Sequence, residues 1–126
     1  MNSMAISIAS NTIDRRWQME HCIDWLRKNL SSVKVSSIYN TPAVNGKDHD
    51  YLNAVMTART RKSLEEAEAF FKRYETVCGR TPEHKVRGIV AIDIDIVMWN
   101  NDVLRMRDFS QKYFQRGWQE LKTVNI

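Results

Sequence analysis

The chain has 126 residues and a formal net charge of +4, with 43% hydrophobic and 27% charged residues. These proportions are typical of one globular domain over residues 1 to 126 and exclude a disordered or fibrous chain. Lysine and arginine are spread along the sequence, so no block indicates a nucleic-acid partner. We expect no membrane span, because no segment approaches about 20 apolar residues, and without a signal-peptide pattern we expect a cytoplasmic location.

Strands and helices alternate along the sequence. The predicted elements are a strand at 4 to 9, a helix at 13 to 30, strands at 33 to 39 and 51 to 60, a helix between Ser63 and Gly79, a strand at 90 to 98, and a helix at 108 to 122. Ser63 and Glu66 form a capping-box pattern, and Gly79 is the residue type that ends helices. This order predicts an α+β, ferredoxin-like βαββαβ core with an added C-terminal helix. Both core helices should cover one face of the antiparallel sheet, leaving the other face for a ligand.

Apolar spacing in the first predicted helix places Ile13, Trp17, Ile23, Leu26 and Leu30 on one face. We therefore expect Trp17 and Trp25 to be core or half-buried residues. Cys22 and Cys78 have no spacing typical of a redox or zinc site, so we expect reduced thiols.

The strand at residues 90 to 98 carries the clearest chemical signal. Successive side chains of a strand point to opposite faces, so the alternation predicts that every second residue faces the helices: Val90, Ile92, Ile94, Ile96 and Met98. Asp93 and Asp95 then share the open face, roughly 6.6 Å apart along the backbone. Strand interiors are depleted in Asp, and two carboxylates that repel one another favour a hard divalent cation. The pair indicates metal-assisted phosphoryl chemistry, and a merely solvated pair is the alternative.

Short motifs along the chain together resemble one enzyme family. They are Ala-Ser-Asn at 9 to 11, Tyr-Asn-Thr-Pro-Ala at 39 to 43, Asp-Tyr-Leu-Asn-Ala at 50 to 54, Glu75, Gly79-Arg80, Gly88, Asp-Ile-Asp-Ile at 93 to 96, and Arg116-Gly117. In this order, over about residues 4 to 121, they resemble the hydroxymethyldihydropterin pyrophosphokinase family. The resemblance implies transfer of diphosphate from ATP to the hydroxymethyl group of 6-hydroxymethyl-dihydropterin, giving AMP, in folate biosynthesis.

The resemblance also implies roles for individual residues. Asp93 and Asp95 would hold Mg²⁺, and the catalytic group would include Asp93, Asp95 and Arg80. We add Arg87 to the catalytic candidates as a loop cation, although it stands where the family has tryptophan. The pterin would contact Thr41, Pro42, Ala43, Val44, Tyr51, Asn53 and Trp118, with its ring between Tyr51 and Trp118. Trp118 as a helix core residue is the alternative. ATP would contact Lys72, Glu75, Arg80 and Arg105. The implied partners are these two small molecules, and we expect a monomer or weak homodimer.

The chain departs from the family pattern in its phosphate-binding loop. The family reads Arg-Trp-Gly-Pro-Arg-Thr where this chain has Val-Arg-Gly-Ile-Val-Ala at 86 to 91, so Val90 replaces an arginine, as does Pro82 earlier. Such arginines contribute about 10³ to 10⁵ in rate. Two predictions stay open: an active enzyme in which Arg87 or Lys85 supplies the missing charge, or a pterin- and nucleotide-binding relative without turnover.

Two other classes with the same element order are disfavoured. An RNA-recognition module would need exposed aromatics and glycine in its third strand, which here reads Tyr-Leu-Asn-Ala-Val-Met-Thr-Ala-Arg-Thr. An acylphosphatase-like enzyme would need a glycine-rich loop after the first strand, and residues 10 to 13 contain no glycine.

Overall fold

The structure is a computed structural model, and it describes residues 1–42, 50–79 and 88–123. Its elements are β1 (Asn2–Ser10), α1 (Arg15–Asn29), β2 (Ser31–Val35), β3 (Tyr39–Thr41), β4 (Tyr51–Thr60), α2 (Leu64–Val77), β5 (Asp93–Trp99), β6 (Asp102–Val103), α3 (Met106–Phe109) and α4 (Lys112–Thr123). The strands form an antiparallel sheet in the order β2-β4-β1-β5-β6, with β3 also paired to β4. The predicted ferredoxin-like core is confirmed. Within the described ranges, no helix has the length and apolar character that a bilayer span requires.

One face of the sheet carries α1 and α2. Ile6 and Ile8 of β1 are fully buried there, together with Met56 of β4. From the helices, the same cluster includes Leu26 and Phe71. Each such side chain stabilises the folded state by about 1.5 to 3 kcal/mol when fully buried. This cluster therefore fixes which side chains of each strand face the helices.

The ends of α2 follow the predicted signals. Ser63 and Glu66 exchange the two hydrogen bonds of a capping box, at 3.0 and 3.2 Å. Gly79 has a φ of 103°, a left-handed conformation that glycine adopts without strain, and it stops the helix as predicted.

The predicted apolar face of α1 is only partly correct. Trp25 is half-buried and stacks on Tyr74 with ring centroids 4.2 Å apart, as expected. Ile13 and Trp17, however, are 88% and 58% exposed, so their predicted burial is wrong. The buried stripe of α1 contains Met19 and Leu26. At about 100° per residue, Trp17 lies roughly opposite that stripe.

The predicted strand at 33 to 39 is interrupted. The structure has β2 end at Val35 and β3 begin at Tyr39. Between them, the Ser36 hydroxyl accepts the Val55 backbone N–H at 2.9 Å, and Glu120 of α4 accepts the Ser37 backbone N–H at 2.7 Å. These side-chain bonds take the place of ladder bonds and break the strand.

The predicted aspartate strand starts too early, and its predicted alternation holds only as far as Val97. Val90 lies before β5 and is half-buried. The pairing shifts between Ala5 and Ile6, so a bulge leaves Val97 as an extra residue. Val97 and Met98 therefore both pack on the sheet face opposite α1 and α2, and the prediction that Met98 faces those helices is wrong.

The second face of the sheet is only half open, because α4 covers the rest. Ala5, Val55 and Val97 form a second cluster with Phe114 and Leu121 of α4. The single helix predicted at 108 to 122 is divided into α3 and α4. On this face Asp95 lies in the same row as Val55, across Ser7, and Asp93 lies one row further from the cluster.

Gly117 allows α4 to lie against the sheet. A Cβ atom at this position would lie 2.7 Å from Val55 Cγ2, 2.8 Å from the Tyr39 hydroxyl and 2.9 Å from Ser36 Oγ. Real Cβ atoms do not approach so closely, so only glycine fits here without displacing β4 or β3.

We expect Gly117→Ala to lower the free energy of unfolding by about 1 to 3 kcal/mol, because the added methyl group overpacks this contact. Urea denaturation measures the change. Gln119→Ala, an exposed position on the same helix, is the matched control. Equal stability of the two variants would mean that α4 does not pack against Val55 as described.

Candidate functional site

Strand β1 aligns the side chains of its two neighbours on the open half of the sheet. Ala9 pairs with Asn53 of β4 on one side and with Asp93 of β5 on the other. Adjacent strands lie about 4.8 Å apart, so the Asn53 and Asp93 backbones are about 10 Å apart. Because the residue between them is alanine, no large side chain separates these two polar groups on this face of the sheet.

Asp93 and Asp95 project from the same face of β5 and converge. Their carboxyl groups are close enough to share a hydrogen bond, and the Asp95 side chain is 29% exposed. Burial, and then the neighbouring Asp93 charge, raise the pKa of Asp95 to about 8, while the Arg105 guanidinium opposes the shift. The pair therefore disfavours a second negative charge until a cation is present.

A polar cleft of about 510 Å³ lies beside the pair, at the edge of the sheet. The sequence-predicted metal and nucleotide residues that the structure describes all line it: Asp93, Asp95, Lys72, Glu75 and Arg105. Its volume is within the range of small-ligand sites. Residues from α2, β5 and the segment after β6 thus form one site.

Glu75 connects α2 to the aspartate strand. The residue is 4% exposed, and its carboxylate accepts the backbone N–H of Ile94 at 2.7 Å. Strand β6 pairs with β5 only at Met98 and Trp99, so this N–H lies on the open edge of the sheet. Glu75 therefore fixes the position of the segment between Asp93 and Asp95.

Arg105 is held between two acidic side chains. Its Nη1 lies 3.8 Å from Asp95 Oδ1, and its Nε donates to Asp108 Oδ2 at 2.5 Å. Asp108 also accepts the Tyr113 hydroxyl. Asp108 and Tyr113 were not among the predicted site residues, although the three-residue spacing of Arg105 and Asp108 is typical of a helical ion pair.

Asn11 holds the segment that leads into β5, a role that the sequence analysis did not assign. It is 3% exposed, and its carboxamide donates to Gly88 O at 2.7 Å and accepts from Val90 N at 2.5 Å. Its own backbone N–H donates to Val90 O at 2.9 Å. These bonds fix the path of the chain just before Asp93.

Some of the residues predicted to contact the pterin lie together on β3 and β4, across the uncovered part of the sheet from the aspartate pair. Asn53 donates to the Thr41 hydroxyl at 2.5 Å, and Thr41 pairs with Tyr51 across β3 and β4. Pro42 follows directly in the chain and is exposed. The remaining predicted residues of the two loops lie outside the described residues: Ala43, Val44, Arg80, Pro82, Lys85 and Arg87.

Trp118 is not brought to Tyr51. Its ring stacks on Phe114 with centroids 5.9 Å apart and shares a cavity with Thr57. Thr57 is six residues from Tyr51 along β4, which is about 20 Å. The arrangement resembles the alternative prediction, in which Trp118 is a helix packing residue.

The donors at the aspartate pair suit a hard cation. In the parts of the chain that the structure describes, no third Asp, Glu, His or Cys joins Asp93 and Asp95 in a metal-binding group. Two carboxylates beside a polar cleft fit Mg²⁺, which commonly takes one or two carboxylates and completes its shell with water and substrate phosphates.

Fold and cleft together define an α+β protein with paired carboxylates and cationic side chains at a sheet edge. A family model described as 7,8-dihydro-6-hydroxymethylpterin-pyrophosphokinase matches residues 5–123, and the chain belongs to this family. The chain is 29% identical over 108 residues to the 2-amino-4-hydroxy-6-hydroxymethyldihydropteridine pyrophosphokinase of Aquifex aeolicus, an alignment that covers 85% of this chain and 67% of that protein. Among solved structures, the C-terminal domain of the MgtC protein from Mycobacterium tuberculosis is similar with a TM-score of 0.44 and 9% identity, over 76% of this chain and 87% of that one.

We expect Asp95→Asn to stabilise the metal-free protein by at least about 1 kcal/mol at pH 8, because it removes a charge that burial and Asp93 disfavour. A raised carboxyl pKa means that the folded state holds the proton more tightly than the unfolded state. The parent's free energy of unfolding should therefore fall as pH rises from about 4 to about 8, and this slope should be reduced in the variant.

Urea unfolding with a chelator present, at several pH values, measures this slope. The exposed residue Asp102 provides the control variant Asp102→Asn. Parallel pH profiles for the parent and Asp95→Asn would contradict the assigned environment of Asp95.

Proposed function

We propose that this protein transfers diphosphate from ATP to the hydroxymethyl group of 6-hydroxymethyl-dihydropterin in a Mg²⁺-dependent reaction that releases AMP. The main support is the convergence of Asp93 and Asp95 on a polar cleft that also contains Lys72 and Arg105. Family membership supports the reaction type, since the family is named for this pyrophosphokinase.

Asp93 and Asp95 would hold the metal through their carboxylate oxygens. When bound, Mg²⁺ would supply positive charge against the phosphate oxygens at the point of transfer. Burial and the Asp93 charge both disfavour the ionised Asp95 carboxylate in the metal-free protein, and a bound cation would offset both effects.

Lys72 and Arg105 would bind the polyphosphate from two sides of the cleft. Lys72 projects from α2, and Arg105 follows β6. Asp108 orients the Arg105 guanidinium through its Nε, which keeps a second edge of the planar group available toward Asp95. Arg80 and Arg87 are proposed as additional cations.

Asn53 and Thr41 would recognise the polar edge of the pterin, and Tyr51 would stack on its ring. Asn53 is almost fully buried, so its carboxamide offers fixed donors and acceptors in a site with little water. Its position about 10 Å from Asp93 suits a bicyclic ring whose hydroxymethyl arm extends toward the metal. Trp118 would not contact the ring, because it lies beside Thr57, far from Tyr51 along β4.

An assay of AMP release with ATP, Mg²⁺ and 6-hydroxymethyl-dihydropterin tests the proposed reaction. We expect Asp93→Asn and Asp95→Asn each to lower kcat by at least about 10²-fold, since each removes a metal ligand. Asp102→Asn is the control and should keep the parent rate.

Full activity of the aspartate variants would overturn the metal assignment. Absence of AMP release from the parent at saturating concentrations of both substrates would favour the binding-only relative. Titration calorimetry of each ligand would then show whether the pocket still binds.

We expect Asn53→Ala to weaken pterin binding by about 1 to 3 kcal/mol, because the ring's polar edge loses buried hydrogen-bond partners. Titration calorimetry of the pterin measures the loss, and thermal unfolding checks that the variant folds. Asn29→Ala, on the exposed side of α1, is the control. If the affinity of Asn53→Ala equals that of the parent, the pterin does not bind at this end of β4.

A further inference from the structure

A second cavity, of about 340 Å³, lies on the same sheet face but on the opposite side of the Phe114 cluster. Its floor is a row of side chains across four paired strands: Lys34, Thr57, Ala5 and Met98. A second row contains Arg59 and its partner Ser3. Along β4 and β5, the floor is about 10 to 13 Å from Asn53 and Asp95, so the cavity is separate from the proposed catalytic cleft.

The last turns of α4 form the wall of this cavity. Trp118, Leu121 and Lys122 line it. The Trp118 ring is supported by Phe114, and the Lys122 ammonium lies 5.7 Å from the Trp118 ring centroid. A half-buried aromatic ring with an ammonium group beside it provides both an apolar surface and a positive charge.

The charges around this cavity have one sign. Lys34, Arg59 and Lys122 come from three different elements and lie around the apolar side chains of Ala5 and Met98. Among the described residues that line the cavity, no side chain is acidic. An organic anion with an apolar body complements this surface.

Irregular backbone borders this cavity on two sides. The non-glycine residues with positive φ in the described chain are Ser32, Asn100 and Asn101, and all of them line this cavity. The two asparagines form the two-residue turn between β5 and β6, which explains their conformation. Ser32, with a φ of 50°, has no such turn, and it lies where the β2 register shifts. Such a register shift is typical of a β-bulge, which accounts for this conformation.

We propose that this cavity binds a small organic anion with a flat ring system, of the aromatic carboxylate class. The ring would lie against Trp118 and Met98, and the carboxylate would accept hydrogen bonds from Arg59 and Lys122.

Titration with 2-naphthoate, followed by the indole N–H signals in ¹H–¹⁵N NMR spectra, tests the proposal. We expect saturable shifts of the Trp118 signal that exceed those of Trp17, Trp25 and Trp99. The neutral analogue 2-naphthalenemethanol should bind at least about tenfold more weakly. Inorganic phosphate, an anion without a ring, should leave the Trp118 signal unshifted. Equal binding of the neutral analogue, or an equal response to phosphate, would overturn the proposed ligand class.

Variants separate this cavity from the catalytic cleft. Arg59→Gln and Lys122→Gln keep most of each side chain and should each weaken 2-naphthoate binding about three- to tenfold, whereas Lys28→Gln, on an exposed turn of α1, should not. Asn53→Ala should also leave the affinity unchanged. Loss of binding in Asn53→Ala would place the probe at the proposed pterin site, and unchanged binding in both cation variants would overturn the assignment.

Discussion

The register of β1 is the constraint on which the candidate site depends. Ile6 and Ile8 are fully buried against α1 and α2, so these side chains cannot turn to the other face of the sheet without exposing the hydrophobic core. A slip of one residue would turn every β1 side chain to the other face. Since β1 pairs with both β4 and β5, the same burial holds Asn53 and Asp93 in one row across Ala9. Hydrophobic packing on one face thus sets the spacing of polar groups on the other.

The aspartate pair is unfavourable for folding, and the surrounding contacts show how the domain holds it in place. Glu75 fixes the backbone between the two residues through Ile94, and Asn11 fixes the chain that enters the strand. With its path held by these buried amide and carboxylate groups, the strand cannot easily relax to separate the carboxylates. A cation would relieve the repulsion, so binding energy and stability should be coupled at this site.

The sequence allowed prediction of the parts of the fold that depend on local patterns. The bounds of β4, both ends of α2 and the shared face of Asp93 and Asp95 follow from alternation and capping, and the structure agrees. The features that could not be predicted depend on contacts between distant residues. Ser36 ends β2 only because Val55 and Glu120 provide partners for this segment. The bulge at Val97 depends likewise on the pairing with β1. Arg105 acquires its orientation from Asp108, and Asp108 is in turn held by Tyr113, which no sequence motif marked.

Helix α4 lies outside the βαββαβ core but is connected to the site through hydrogen bonds. Gly117 brings the helix against β3 and β4, where its backbone N–H donates to the Tyr39 hydroxyl at 3.1 Å. That hydroxyl donates in turn to the Tyr113 carbonyl, and burial raises the pKa of Tyr39 to about 12, so it keeps its proton at neutral pH. The Tyr113 hydroxyl then reaches Asp108, which orients Arg105 toward Asp95. Because Tyr113 is itself part of α4, a displacement of the helix at Gly117 would move the Tyr113 hydroxyl and, through Asp108, the Arg105 guanidinium beside the aspartate pair. The added helix therefore supports the site as well as forming part of the second hydrophobic cluster.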